Sequence, residues 1–328
     1  MKKIIVVFII CFILTGCVNI NKSSFISSLS KKIKNGSGYK LDGILTVHNN
    51  DDVYKYKVKV LYKKDDNYKV TLTNTSNDHT QIILKNDDGV YVLTPALNKS
   101  FKFQSEWPYN NSQIYLLDTV LRDIKADKDW KFKKVNGRYF IDSKVNYPNN
   151  SRLVKQRFVF NNSFKPLKAT VYDDNDVDCM SMIFNKVDYN PKFDKNDFNL
   201  DSVVKKNEDT EKTTGNLDDI IYPMFLPNGT KLVDEEKIDK SNGQRVIMSY
   251  DGEKSFLLVE ETAEVFNDFT VVPTSGEPFM LMDTFGVMTD NSISWTSGGV
   301  DYYIVSDVMS GEELVEIAQS ITGVIAIK

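Results

Sequence analysis

The sequence predicts an α+β protein in which an open antiparallel β half-barrel, wrapped on helices, precedes a small α+β domain. Three observations on the 328 residues lead to this class. Apolar and polar residues alternate with a period of two over most of the first 190 positions, and turn residues interrupt them at short intervals. One long helical pattern lies among these strands. A reversal of charge separates the last third of the chain.

Charge divides the chain into two units of opposite sign. Residues 1–219 carry 35 lysines and arginines against 27 acidic residues, whereas residues 220–328 carry 6 against 18. Charged residues make up 26% of the chain and hydrophobic residues 41%. This composition excludes disorder and collagen-like repetition for most of the length. The split in charge indicates two separately evolved units.

The N-terminus has the pattern of a bacterial lipoprotein signal. Two lysines precede an apolar run over 4–14, which is too short to cross a bilayer as a helix but typical of a secretory signal. The run ends in Leu14-Thr15-Gly16-Cys17. An apolar residue, two small residues and a cysteine match the lipobox of lipoprotein precursors.

The lipobox implies cleavage after Gly16 and acylation of the Cys17 thiol with chains such as palmitate. Two or more acyl chains hold a protein stably on a membrane, whereas one chain binds marginally. We therefore expect residues 1–16 to be a signal peptide and 17–37 to be a lipidated tether with a short helix. The mature chain would lie on the extracytoplasmic face of the cell membrane, where Cys179 would have no intramolecular disulfide partner.

The first unit, residues 38–200, is predicted to consist of sequential antiparallel strands. A helix over 24–34 precedes it, with Phe25, Ile26, Leu29 and Ile33 at helical spacing. Apolar residues and lysines alternate over 54–60, which places the lysines on the solvent-exposed face of a half-buried strand. Because a twisted sheet of many strands curls, its concave face is left for helices to cover. Further strands are predicted at 68–72, 90–93, 99–104, 130–135, 138–146, 152–161, 165–172 and 178–189.

One long helix is predicted over 112–125, where it would cover that concave face. Asn111 or Ser112 can cap its first turn, because both side chains accept hydrogen bonds from backbone N–H groups. The apolar stripe consists of Ile114, Leu117, Leu121 and Ile124.

Residues 201–218 are predicted to be a linker, because they are charged and nearly free of apolar side chains. The second unit, 219–328, ends in a helix with a capping box formed by Ser310 and Glu313. Its strands are predicted at 244–250, 254–262, 279–288, 291–296 and 300–306.

No motif supports catalysis, a cofactor or a nucleic-acid partner. The chain has two histidines, His48 and His79, and no Cys/His cluster, which excludes zinc ribbons and HExxH metal sites. Residues 174–178 begin like an EF-hand loop, but Cys179 stands where that loop requires glycine. An acidic hairpin turn is the better interpretation. We expect a surface position for His79 and a packed thiol at Cys179.

Aromatic residues concentrate where a predicted strand turns into the long helix. Phe101, Phe103, Trp107 and Tyr109 lie within nine residues, more than one short strand can pack. We hypothesise that they form the rim of a binding site, because aromatic side chains near a rim are the usual anchors. The alternative is that they pack beneath the helix at 112–125.

This stretch, with Thr94-Pro95 before it, resembles the LolA/RseB-like sporulation and germination lipoproteins of spore-forming Gram-positive bacteria, the YdcC/GerS-like group. The resemblance covers roughly 38–190. The segment 222–229 resembles the small C-terminal domain that follows in that group. The resemblance implies an open half-barrel that holds an apolar ligand or a protein partner, such as a cortex amidase or a membrane-bound regulator.

The sequence therefore predicts a non-enzymatic lipoprotein that binds a protein partner or lipid in envelope or spore assembly. A LolA-type carrier diffuses freely, whereas acylated Cys17 would tether this chain, which favours a scaffold, receptor or sensor. Two alternatives remain open: a lipid or lipoprotein carrier or receptor, and an envelope-stress sensor that regulates a membrane-bound anti-sigma factor. An enzyme acting on cell-wall material would require a cleft with two facing carboxylates.

Overall fold

A computed structural model describes residues 20–49, 52–108, 112–148, 150–208, 210, 217, 220–281 and 284–322. These residues form four α-helices, one 3-10 turn and nineteen strands in two sheets. The predicted α+β class is confirmed. No helix in this part of the chain has the length and apolarity that a membrane span needs. The predicted signal cleavage at Gly16 and the predicted lipidation at Cys17 lie outside the described residues.

The described residues up to Lys205 form eleven strands and three α-helices. The 3-10 turn at Pro95–Leu97 lies between the fifth and sixth strands. In chain order the elements are α1 (Lys22–Lys34), β1 (Gly38–Asn49), β2 (Asp52–Lys63), β3 (Asn67–Asn74), β4 (Thr80–Asn86), β5 (Gly89–Thr94), β6 (Lys99–Phe103), α2 (Leu117–Ala126), β7 (Lys131–Val135), β8 (Arg138–Lys144), β9 (Leu153–Phe160), β10 (Pro166–Asp173), β11 (Asp178–Asp188) and α3 (Leu200–Lys205).

The second half is mostly strand and ends in a helix. Its elements are β12 (Lys231–Lys240), β13 (Gly243–Asp251), β14 (Phe256–Thr262), β15 (Thr270–Thr274), β16 (Glu277–Met280), β17 (Phe285–Met288), β18 (Ser292–Ser297), β19 (Val300–Val305) and α4 (Gly311–Thr322). The predicted single strand over 279–288 is therefore wrong. Two strands, β16 and β17, pair antiparallel there.

The first sheet has twelve strands in the order β15-β6-β5-β4-β3-β2-β1-β11-β10-β9-β8-β7. Its edge strands, β7 and β15, do not pair with each other, so the sheet is open, as predicted. β1 and β11 pair antiparallel in the middle of the sheet and join its two meanders. The residues that match the predicted EF-hand start form the hairpin turn between β10 and β11, which agrees with the acidic-turn interpretation.

Helix α1 packs its apolar stripe on the inner face of this sheet. Asn21 and Ser24 form a capping box that starts the helix two residues earlier than predicted. Phe25, Leu29 and Ile33 are buried, and the Phe25 ring centroid lies 5.5 Å from that of Phe160 on β9. The predicted stripe is confirmed at these three positions.

The start of the long helix was predicted wrongly. Helix α2 begins at Leu117, and its first turn follows Leu116, not Ser112. The Ser112 hydroxyl instead donates to Asp123 Oδ2 over 2.7 Å and accepts the Asn146 N–H over 2.7 Å. These bonds hold residue 112 against the strand end. Residues 113–116 then form a turn, in which the Leu116 N–H donates to the Gln113 carbonyl over 3.0 Å, before α2 begins. The proposed cap Asn111 lies outside the described residues.

Part of the predicted linker belongs to the first half of the structure. Helix α3 overlaps the predicted span 201–218, and its Val203 side chain is 2% exposed. Together with Phe198 it covers the outer face of β4 and β5. Asp197 is also buried there. Its carboxylate oxygens form ion pairs with the ammonium groups of Lys40, Lys69 and Lys206 at 3.7 to 3.8 Å.

The second sheet has seven strands in the order β12-β13-β14-β19-β18-β17-β16, and α4 packs on one face. The predicted capping box of α4 is confirmed. The Ser310 N–H donates to Glu313 Oε2 over 2.8 Å, and the Glu313 N–H donates to Ser310 Oγ over 3.3 Å. Strand β15 leaves this unit and pairs in parallel with β6 at the edge of the first sheet. Independent folding of the two units stays a prediction.

Glu260 is a buried carboxylate beneath the segment that enters the second unit. The residue is 0% exposed, and both of its carboxylate oxygens accept the Ile221 N–H at 3.2 Å. Burial raises the pKa of Glu260 from 4.5 to about 7, and the Ile221 N–H opposes this rise. The folded protein therefore binds a proton between pH 4.5 and 7 that the unfolded chain releases.

We expect this group to lower the free energy of unfolding by about 3 kcal/mol as the pH rises from 4.5 to 7, because stability falls wherever the folded state binds more protons. Chemical denaturation of the wild type and of Glu260→Gln across this range measures the effect. As the pH rises, the free energy of unfolding of the wild type should fall relative to that of the variant. Glu253→Gln, at an exposed carboxylate, is the control. Parallel curves for Glu260→Gln and the wild type would contradict the expectation.

Candidate functional site

A cleft lies between the inner face of the first sheet and the second unit. Its inner part is an apolar cavity of about 100 Å³. β1 and β11 supply one wall, where Val47 and Met180 are directly opposite each other. β16, β17 and α4 supply the facing wall. Residues that line the cavity include Val47, Ile114, Tyr115, Leu153, Met180 and Phe285.

The Tyr115 hydroxyl is the distinctive polar group of the cavity. Tyr115 lies in the turn that precedes α2 and is 1% exposed, and its hydroxyl has no hydrogen-bond partner among the described residues. Burial raises the pKa of Tyr115, so the hydroxyl keeps its proton. Buried polar groups are nearly always paired, because desolvation without a partner costs free energy. This buried hydroxyl therefore keeps an unmet capacity to donate a hydrogen bond.

The outer part of the cleft is more polar than the inner part and has a volume of about 270 Å³. Residues from both halves line it, including His48, Arg152, Asp178, Cys179 and Glu312. Glu312 of α4 accepts the Ser151 N–H over 3.0 Å, which ties the two halves together at this end. The inner and outer parts share several lining residues, so they form one continuous cleft.

The cysteine, histidine and carboxylate of the outer cleft do not form an activated thiol. Burial raises the pKa of Cys179, and the Asp173 charge raises it further, so the thiol stays protonated. The Cys179 thiol donates weakly to the Val177 carbonyl at 3.6 Å. Burial also raises the pKa of Asp178, whereas the charge of His48 lowers it. The described residues contain no group of three His, Cys, Asp or Glu side chains that could hold a metal ion.

A buried glutamine fixes the wall that the second unit contributes. Gln81 on β4 is 5% exposed and binds both backbone groups of Phe285: its Oε1 accepts the N–H over 2.5 Å, and its Nε2 donates to the carbonyl over 3.3 Å. The neighbouring His79 was expected at the surface, and this is wrong. Its ring is half-buried, and burial lowers its pKa.

Of the predicted aromatic rim, the described residues Phe101, Phe103 and Trp107 do not line this cleft. Trp107 is 0% exposed and Phe103 is 2% exposed, so both lie in the core, which contradicts an accessible rim at these two positions. Phe101 is half-buried, with the Lys99 ammonium 4.6 Å from its ring centroid. Tyr109 lies outside the described residues. The aromatic side chains of β6 face the core, because they continue the inner face of the sheet.

Sequence reasoning missed Tyr115 and the cleft. Tyr115 stands in an apolar run of four residues that was assigned to the helix, and a buried tyrosine usually completes a core. Phe285 and Gln81 are 204 positions apart, so no local pattern connects them. No signal in a single sequence could have identified the site.

Comparison with known proteins identifies relatives over nearly the whole chain. The family model described as sporulation protein YdcC-like matches residues 1–198. The chain is 36% identical over 315 residues to "Sporulation protein YdcC" of Bacillus subtilis, and the match covers 95% of this chain and 93% of the relative.

Solved structures show weaker likeness. The Pseudomonas aeruginosa MucA/MucB complex matches with a TM-score of 0.34 and 13% identity, over 91% of this chain and 97% of that one. A putative outer membrane lipoprotein-sorting protein domain from Vibrio parahaemolyticus matches with a TM-score of 0.34 and 14% identity, over 56% and 100%. Likenesses at these TM-scores do not bear on function.

Proposed function

Since the chain belongs to the YdcC-like family of sporulation proteins, we propose that it is a lipoprotein that binds a protein partner in spore-envelope assembly and catalyses no reaction. Acylated Cys17 would hold it on the extracytoplasmic face of the cell membrane. The cleft between the first sheet and the second unit is the binding site. An extended segment of the partner places one apolar side chain in the inner cavity.

The Tyr115 hydroxyl is the observation that carries this proposal. A paired hydroxyl would indicate a cavity that only completes the core, whereas this one has no partner among the described residues. A peptide segment supplies what the cleft lacks: an apolar side chain for the cavity and a backbone carbonyl for the Tyr115 O–H. The polar outer cleft is suited to the flanking peptide groups, because its lining mixes donors with acceptors.

Cavity size favours one side chain over an acyl chain. An apolar cavity of about 150 Å³ accepts a molecule of the size of benzene. A cavity of about 100 Å³ is smaller than that. The end of an acyl chain would enter, but the remainder would have to lie in the polar outer cleft. A lipid carrier is therefore the weaker alternative for this geometry.

The absence of catalysis is part of the proposal and rests on the chemistry of the outer cleft. Its thiol stays protonated, and Glu312 is engaged with a backbone N–H. Asp178 remains the carboxylate with a buried, unpaired oxygen among the described residues. If Asp178→Asn abolished cell-wall modification while partner binding persisted, the enzyme alternative would replace this proposal.

Photo-crosslinking tests the site. A photo-reactive amino acid replaces Leu153, which lines both parts of the cleft, in the full chain in sporulating cells. We expect a crosslink to one peptide segment, identified by mass spectrometry, and a loss of at least tenfold in its yield with Tyr115→Phe. The matched control replaces Tyr303, which is 41% exposed on β19, and should not give this adduct. Crosslinks to acyl lipid would support the carrier alternative, and identical adducts at both positions would overturn the proposed site.

A further inference from the structure

The outer face of the first sheet carries an ordered row of basic and apolar side chains. Strand register places one residue from each of eight neighbouring strands in this row. From β7 to β3 the row reads Lys133, Phe140, Val159, Lys168, Ile183, Ile44, Lys57 and Thr73. Two apolar residues thus separate each lysine from the next.

This row points away from the core. The sequence neighbours Ala169 and Met182 are 0% exposed on the inner face, and side chains alternate between faces along a strand. Ile183 is 53% exposed, and the three lysines of the row are exposed.

The face has more positive charge than its carboxylates balance. Lys55 and Lys59 flank Lys57 along β2, and Lys186 lies nearby on β11. Asp42 is placed between Lys59 and Lys186 by the register. No ion pair within 4.0 Å among the described residues involves the three lysines of the row.

We propose that this face, which we call the basic face and define by Lys57, Lys133, Lys168, Ile44 and Ile183, lies against an anionic lipid bilayer surface. Strand spacing of about 4.8 Å puts successive lysines of the row roughly 14 Å apart. Lysine stems are long and flexible, so each ammonium reaches a mobile phosphate without a fixed partner geometry. The apolar pairs between them enter the interfacial region, as apolar residues of interfacial segments do.

Lysines alone would suit an acidic protein equally well. The exposed Ile183 between them favours a bilayer, because lipid offers negative charge and apolar contact together over a wide area. Acylation at Cys17 is not required for this contact. The proposed membrane contact is therefore independent of the proposed acylation and of the proposed binding site in the cleft.

Lysine footprinting of the full chain on vesicles tests the basic face. The chain is mixed with vesicles of phosphatidylcholine alone, or with added phosphatidylglycerol, and labelled with a membrane-impermeant acetylating reagent. We expect labelling of Lys57, Lys133 and Lys168 to fall about threefold or more on anionic vesicles, and high salt to reverse this. Lys231, exposed on β12, should keep its labelling.

A matched pair of substitutions distinguishes binding through the basic face from general adsorption to the vesicles. Ile183→Asp places a carboxylate inside the basic face at an exposed position, so it should remove the protection without loss of fold. Val233→Asp, at a residue 52% exposed on β12, should leave the protection intact. Equal labelling on both vesicle types, equal protection of Lys231, or protection by polyglutamate but not by vesicles would overturn the proposal, the last in favour of an acidic protein.

Discussion

Replacing Trp107 with alanine is expected to lower the free energy of unfolding by about 3–5 kcal/mol, the usual cost of removing a large aromatic side chain from a core. Trp107 is 0% exposed, and its ring meets that of Tyr68 edge-on, with centroids 5.8 Å apart. The loss comes from burial and packing, because the indole Nε1 has no hydrogen-bond partner among the described residues. Urea denaturation of the full chain measures it.

Phe101→Ala is the matched control for this substitution. Phe101 lies on β6, six residues before Trp107, and is half-buried, so its replacement should cost about 1 kcal/mol, less than a full core truncation. A change below about 1 kcal/mol for Trp107→Ala, combined with a loss of partner capture, would restore the rim interpretation. A large loss of stability with unchanged capture by the folded fraction would confirm the core interpretation.

Replacing Cys17 with alanine is expected to abolish fatty-acid attachment completely. The Cys17 thiol is the atom that the lipobox presents for acylation, and no second cysteine follows an apolar run with small residues. Because cleavage of lipoprotein precursors follows acylation, the variant should accumulate as a precursor that retains residues 1–16, or be released. Metabolic labelling with a fatty-acid analogue and the mass of the N-terminal peptide measure both effects.

Cys179→Ala provides the control for the labelling experiment. Cys179 is a free thiol within the cleft, so its replacement should leave fatty-acid attachment unchanged. Fatty acid on the Cys17→Ala protein, or none on the wild type, would contradict the lipobox interpretation. An unlabelled wild type that still sediments with membranes would indicate that residues 4–14 act as the anchor.

Local patterns predicted the regular elements well, because each depends on residues close in sequence. Alternation located β2, β3 and β9, and the capping box located α4. The start of α2 was wrong because the Ser112 side chain could cap a helix or bind elsewhere. The Ser112 hydroxyl binds Asp123 and the Asn146 N–H instead of capping a helix, and Asn146 is 34 positions away from Ser112. A cap assigned from sequence omits such competitors.

The sequence by itself determined the α+β class, the succession of most strands and the terminal helices, since periodicity and capping are properties of neighbouring residues. Only the tertiary structure decided which side chains are buried and what lies between the two halves. Trp107 and Tyr115 are both aromatic and belong to the same buried cluster, yet Tyr115 also lines the cleft. That cleft depends on contacts such as Gln81 with Phe285, 204 positions apart, and on β15 joining β6. Such pairings follow from the global packing of the sheets, which no local pattern encodes.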